Sequence, residues 1–335
     1  MNRPKVNIKR DNTVNYLLEQ LNNALPNLIT LKGIIGVTLN GGLSRGYGDH
    51  LSEIDITIFL DDANYQLWDS GYCPITTFIT KIDENLYDIK YVKYSDELKK
   101  EYSIETELWD LSYSKILYDP NGLIEEFFNN KLAKKCTQND AEQYMFEAWW
   151  YYKLATDIWI YRKDVLQGHM MLNSAVSAII KAVFTCNEEY IPHEKWLIHM
   201  SRTLEWKPKH WNQKLIEAFR TGKMNIDNLK VRQNALDGLW NEINDYLSKE
   251  FHLKKGLSII QKSTYDLLRS LCVKSKIPIT EWQKKASLKM LNCDPFAKVV
   301  KVIDGYIEFD YEACSKISEK NMYYLYYQIL DTVRK

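Results

Sequence analysis

Two acidic residues with one residue between them, Glu53 and Asp55, lie in the run Ser52-Glu53-Ile54-Asp55-Ile56. On a strand, residues i and i+2 project from one face, so both carboxylates share a side while Ile54 and Ile56 turn into a core. Side-by-side carboxylates repel unless a cation stands between them. A divalent metal is the usual cation, and hard oxygen ligands suit Mg2+ or Mn2+. Upstream stand Gly41-Gly42, then Ser44, Arg45 and Gly46. Glycine lets a backbone approach phosphate closely, and a helix starting there would turn free N–H groups toward an anion. Further on, Asp88 interrupts the strand-like run Leu86 to Val92. An acid inside an apolar strand needs a partner, and a strand beside that of Asp55 would bring it to the same metal. Asp83 and Glu84 read as turn residues. The plainer alternative is a glycine turn before two solvated acids, with Asp88 on an edge strand facing water. Each part is common alone; the ordered set points to phosphoryl or nucleotidyl transfer.

These residues need strands to carry them. Residues 33–39 are an apolar, β-branched run, 54–60 alternate, and 86–92 read as a third strand. Leucines at near-helical spacing over residues 12–31 predict an amphipathic helix ending near Pro26. A helix is expected over about 95–110, a short strand and turn from Lys115 to Gly122, and a helix from about Leu123 to Leu132. Past residue 137 the pattern is helical and aromatic, from Asn139 to Lys163, then near 168–186, 209–220, 227–250, 257–274 and 316–333. The expected fold class is α+β, a mixed sheet with flanking helices followed by an all-helical domain. The expected division is residues 1–135 for catalysis and 136–335 for the acceptor. The last ~45 residues, with Cys293-Asp294-Pro295 and a strand-like Val302 to Phe309, read as a small appendage without an assigned task.

Residues 41–56 resemble the signature of the DNA polymerase β-like nucleotidyltransferase superfamily, which is Gly-[Gly/Ser], roughly ten residues, then acid–apolar–acid. They are closest to its small-molecule (aminoglycoside/lincosamide-type) and minimal members, whose strand usually reads Ser-Asp-Ile-Asp-Leu. The turn Ile116-Leu117-Tyr118-Asp119-Pro120-Asn121-Gly122 also resembles the segment that closes this domain in antibiotic-modifying members. The likeness covers about residues 12–132. Two positions depart from the pattern: Glu53 replaces the usual Asp, one methylene longer, and with Gly42 at the Gly/Ser position the hydroxyl falls to Ser44.

The resemblance implies a nucleotidyltransferase fold with a two-metal site. Glu53, Asp55 and Asp88 would be both ligands and catalytic residues, with the metals about 3.5–4 Å apart. Asp88 would also take the proton of the attacking hydroxyl. Gly41, Gly42, Ser44 and Arg45 would bind the nucleotide, and a lysine of the helical part, Lys195, would reach the triphosphate. ATP is the co-substrate implied by analogy, with AMP transferred and pyrophosphate released. For Lys195, and for Lys153, Arg162, Lys163, His169 and Lys181, the ordinary alternative is a solvated charged face. Glu147, among Trp149, Trp150, Tyr151 and Tyr152, could meet an amine-rich acceptor, though packing explains most such aromatic stripes.

Lys plus Arg and Asp plus Glu both number 44 in 335 residues, so formal charge is zero. Nothing in that balance demands a long polyanionic partner, and it weighs against nucleic acid as acceptor, although a neutral chain can still carry a local basic patch. The six cysteines form no CxxC pair, which excludes a zinc ribbon and fits reduced thiols of a cytoplasmic protein. His193 and His199 do not form HExxH, and neither a Gly-x-Ser-x-Gly elbow nor a Walker loop is present. The polar start lacks a signal-peptide core, and no run of about 18 apolar residues suggests a membrane partner. A small-molecule acceptor is the first expectation. The rivals are a protein- or tRNA-modifying enzyme of the toxin–antitoxin type, and a non-catalytic nucleotide-binding regulator, which Glu53 favours.

Overall fold

The computed structural model describes residues 6, 8, 11–250, 267, 270, 271, 273–284, 286–292 and 296–316. The chain forms two compact units: residues 1–137 with 183–209, and residues 138–182 with 210–335.

The first unit holds a five-stranded mixed sheet in the order β3-β4-β2-β1-β5. The strands are β1 (Ile34–Leu39), β2 (Ile54–Leu60), β3 (Phe78–Ile82), β4 (Asn85–Lys93) and β5 (Lys115–Tyr118). β2 pairs antiparallel with β1 and parallel with β4. Alternation on β2 buries Ile54, Ile56 and Ile58 against Leu17, Leu21 and Leu28 of helix α1 (Val14–Ile29). Fully burying each such side chain contributes about 1.5–3 kcal/mol. The other helices are α2 (Gly41–Ser44), α3 (Asp62–Leu67), α4 (Tyr94–Lys99), α5 (Glu107–Tyr113) and α6 (Leu123–Leu132). The mixed sheet and flanking helices agree with the expected class.

Three local expectations change. α1 runs past Pro26 to Ile29, because Leu28 on the far side of the proline is buried in the same core as Leu17 and Leu21. The single helix expected over 95–110 divides into α4 and α5. Between them the backbone leaves the helix to bond Ile191: Ile191 N donates to the Ile104 carbonyl at 3.0 Å, and Thr106 N to the Ile191 carbonyl at 2.8 Å. Strand β3 was not expected; it pairs with β4 at the sheet edge with Phe78 and Ile79 exposed, so it lacks a buried alternation.

In the second unit α7 (Gln138–Trp149), a wider π-type turn over Trp150–Ala155 and α8 (Thr156–Tyr161) follow one another. α9 (Val165–Cys186) follows, its last turn belonging to the first unit. By length and composition α9 could cross a membrane, but two-thirds of its apolar window is buried, as in a core helix. α10 (Glu194–Ser201) returns to the first unit; α11 (Trp211–Phe219) and α12 (Ile226–Glu250) belong to the second. Of the aromatic stripe, Trp149 and Tyr152 are fully buried and Tyr152 Oη donates to Asp237 at 2.8 Å, so these two are packed core, while Trp150 and Tyr151 are half-buried.

The appendage is a three-stranded antiparallel sheet ordered β6 (Lys276–Pro278), β8 (Tyr306–Phe309), β7 (Val300–Ile303). Buried Trp282, Phe296 and Ile307 form its core. All but the first residue of the helix expected over 316–333, and most of that over 257–274, lie outside the described residues.

Candidate functional site

β1 delivers the chain to Asn40, whose side chain is pinned three ways. Its amide donates to Thr57 Oγ1 at 2.7 Å, and its Oδ1 accepts from Ser114 Oγ at 2.8 Å and Thr38 Oγ1 at 3.3 Å. Asn40 N also donates to the Asp55 carbonyl at 2.8 Å, tying the glycine segment to β2. The chain then turns through Gly41 at φ +63° into the single turn of α2. A Cβ on Gly41 would lie 1.8 Å from Asp55 Oδ2. Only glycine permits both that backbone angle and that approach, so the loop closes directly over a carboxylate.

Asp55 on β2 and Asp88 on β4 are direct partners in the parallel register, as Thr57 and Lys90 are one step on. Neighbouring strands lie about 4.8 Å apart, so the two acids face each other across one strand gap. Asp55 is pushed up from 3.8 to about 6, first by burial, then by the charges of Glu53 and Asp88, against weaker relief from Lys90 and Arg45. Lys90 Nζ pairs with Asp88 Oδ2 at 3.0 Å. Burial depresses the Lys90 ammonium, but the bond to Asp88 and the charges of Asp88, Asp55 and Asp110 outweigh it and hold its pKa above normal.

Glu53, Asp55, Asp88, Gly41, Gly42, Arg45 and Lys195 all line one cavity of about 540 Å³ within the first unit. Ser44 does not join them. It is buried, and its hydroxyl donates back to the Gly41 carbonyl at 2.9 Å. Arg45 faces the cavity but is already engaged: Nη1 bonds Asp110 at 3.0 Å, and the guanidinium lies 4.7 Å from the Trp109 ring centre and 5.4 Å from that of Trp196. Its pKa is lowered by burial, against the opposing charges of Asp110 and Asp55. Lys195 is exposed in the first turn of α10, whose N-terminus is capped by His193 Nδ1 accepting from Lys195 N at 3.2 Å.

Lys90, Asp110 and Asn40 were missed in the sequence. Lys90 was within reach of the rule applied to Glu53 and Asp55, since it follows Asp88 by two on one strand. Asp110 carries no local signal; it meets Arg45 across 65 residues.

Among the described residues, no three His, Cys, Asp or Glu side chains close into a metal cage. The residues still fit Mg2+, which is commonly held by one or two carboxylates together with substrate phosphate oxygens and water. The observation in favour is electrostatic: a largely desolvated Asp55 is raised by two like charges that a cation would relieve.

No family model matches this chain, and no curated protein does. Among solved structures, it is similar to a nucleotidyltransferase-like protein from Exiguobacterium sibiricum. The identity is 8%, the TM-score is 0.38, and the match covers 69% of this chain and 77% of that one.

Proposed function

We propose that this chain is a metal-dependent nucleotidyltransferase that moves a nucleoside monophosphate from a triphosphate to a hydroxyl of a small-molecule acceptor. The observation that carries the reading is the in-register pair of Asp55 and Asp88 with the Gly41 backbone closed over the Asp55 carboxylate. A structural strand acid gains nothing from a left-handed glycine pressed against it; a site that must admit phosphate beside a carboxylate does.

Glu53 and Asp55 would hold Mg2+, which when bound neutralises phosphate charge and lowers the pKa of a coordinated hydroxyl. Gly41 and Gly42 leave room for the phosphates to approach the backbone. Lys195, an exposed ammonium on the wall of the cavity, offers a counter-charge for the triphosphate tail. Asp88 stands opposite Asp55 to receive the proton of the attacking hydroxyl. The acceptor oxygen bonds to the α-phosphorus as the bond to pyrophosphate breaks, so only a P–O bond is exchanged. ATP is the donor we favour, on the resemblance of residues 41–56 alone.

Thermal unfolding with ATP, GTP, CTP or UTP, with and without Mg2+, tests the reading. One nucleotide should raise the midpoint only with metal, and not in Asp55→Ala. An equal rise in that variant, or no nucleotide effect at all, would refute the site.

A further inference from the structure

The two-metal expectation assigns all three carboxylates to cations, but one of them already holds a positive charge. Asp88 and Lys90 alternate on β4, so both side chains leave the same face. Lys90 Nζ lies 3.0 Å from Asp88 Oδ2. It also senses Asp55 and Asp110, so the ammonium sits among the acids of the site. Its side chain is 59% exposed and lines the same cavity, so packing does not require it there. Arg45, the other cation acting on Asp55, is committed to Asp110 and two indole rings.

The ammonium then competes with a second ion at this end. Glu53, Asp55 and Asp88 carry three negative charges, and Lys90 cancels one. Two remain to be shared with the triphosphate's metal, while the Asp88 oxygen that a second ion would need is already bonded to the Lys90 ammonium. Resting on the nucleotidyl-transfer reading above, we infer that Lys90 is a built-in substitute for one of the two cations. The site then takes a single divalent ion on the Glu53–Asp55 side, with Asp88 held by the ammonium. Lys90 is thus a positioning residue for Asp88 and a limit on metal stoichiometry.

The test counts ions rather than turnover. Mn2+ bound per chain is measured by electron paramagnetic resonance, with a non-transferable ATP analogue present. Wild type and Lys90→Arg, which keeps the charge, should each bind one. Lys90→Met, which exposes Asp88, should bind two. Two ions in wild type, or one in a folded Lys90→Met, overturns the proposal while leaving nucleotidyl transfer standing. Should Lys90→Met fail to fold, Lys90→Gln supplies the neutral arm with the same expected count. No bound ion in any of the proteins overturns both the proposal and the reading beneath it.

Discussion

Replacing Gly41 with alanine separates the two reasons for that glycine. At φ +63° an L-residue pays about 1–2 kcal/mol for the left-handed backbone. The added Cβ would lie 1.8 Å from Asp55 Oδ2, 2.4 Å from Cγ and 2.9 Å from Cβ, so the carboxylate must move. Forcing that side chain off its rotamer costs roughly a further 0.5–1.5 kcal/mol. Gly46 provides the control: it sits at φ +85° with nothing within 4 Å of its added Cβ. Gly46→Ala should therefore lose only about 1–2 kcal/mol, and Gly41→Ala about 1.5–3.5 kcal/mol. Urea unfolding followed by circular dichroism measures both. In an Asp55→Ala background the Oδ2 and Cγ contacts vanish, and Gly41→Ala should cost about 1 kcal/mol less than in wild type, as expected for contacting residues. Gly41→Ala should also abolish metal-dependent nucleotide stabilisation, whereas Gly46→Ala retains it. Equal costs in both backgrounds, or equal costs at the two glycines, would refute the claim that Gly41 exists to clear Asp55.

Asp55→Asn should stabilise the metal-free protein. The folded pKa of about 6 lies above the ordinary 3.8, so the native state holds the proton more tightly and loses stability as pH rises between those values. The full shift corresponds to about 3 kcal/mol; screening by solvent reduces this to about 1–2 kcal/mol at pH 8, falling toward zero near pH 4. Urea midpoints at both pH values in EDTA check this, and an equal gain at both contradicts it. Arg45→Lys should cost about 1–2 kcal/mol in the same assay, because an ammonium cannot stack between Trp109 and Trp196 while bonding Asp110; an unchanged midpoint would show the stack to be idle.

The part of the site written in short-range pattern was legible. Glycine choice, period-two alternation and the acid–apolar–acid run are local, and they located Gly41 and Gly42 in the turn of α2, Glu53 just before β2 and Asp55 on it, all lining one cavity. Asp88 needed one further assumption, that its strand lies beside β2, which the parallel register supplies. Partnerships across sequence were not legible. Ser44 has the right residue type and neighbourhood, yet its hydroxyl is satisfied by the carbonyl three residues back. Arg45 reads as a loop cation until α5 brings Asp110 and Trp109 beside it and α10 brings Trp196. Edge strand β3 escaped for a related reason: exposed Phe78 and Ile79 carry no alternation, and only pairing with β4 makes the segment a strand.

The first unit is assembled from separated stretches of chain, and this constrains the order in which it can be made. All five strands of its sheet have been synthesised by Tyr118, and α6 by Leu132. Yet Tyr190 Oη, which donates to the carbonyl of Leu132 at 3.1 Å, follows it by 58 residues. Ile191, which satisfies the backbone of residues 104–106, and Trp196, one wall of the Arg45 stack, come later still. On a ribosome the sheet therefore emerges with a missing wall and a buried arginine awaiting its second indole, while residues 138–182 are translated. Closing so long a loop is entropically slow. The cavity cannot be complete until residues 190–196 have been made and have returned to the sheet, and until then its unfinished wall is open to misassembly.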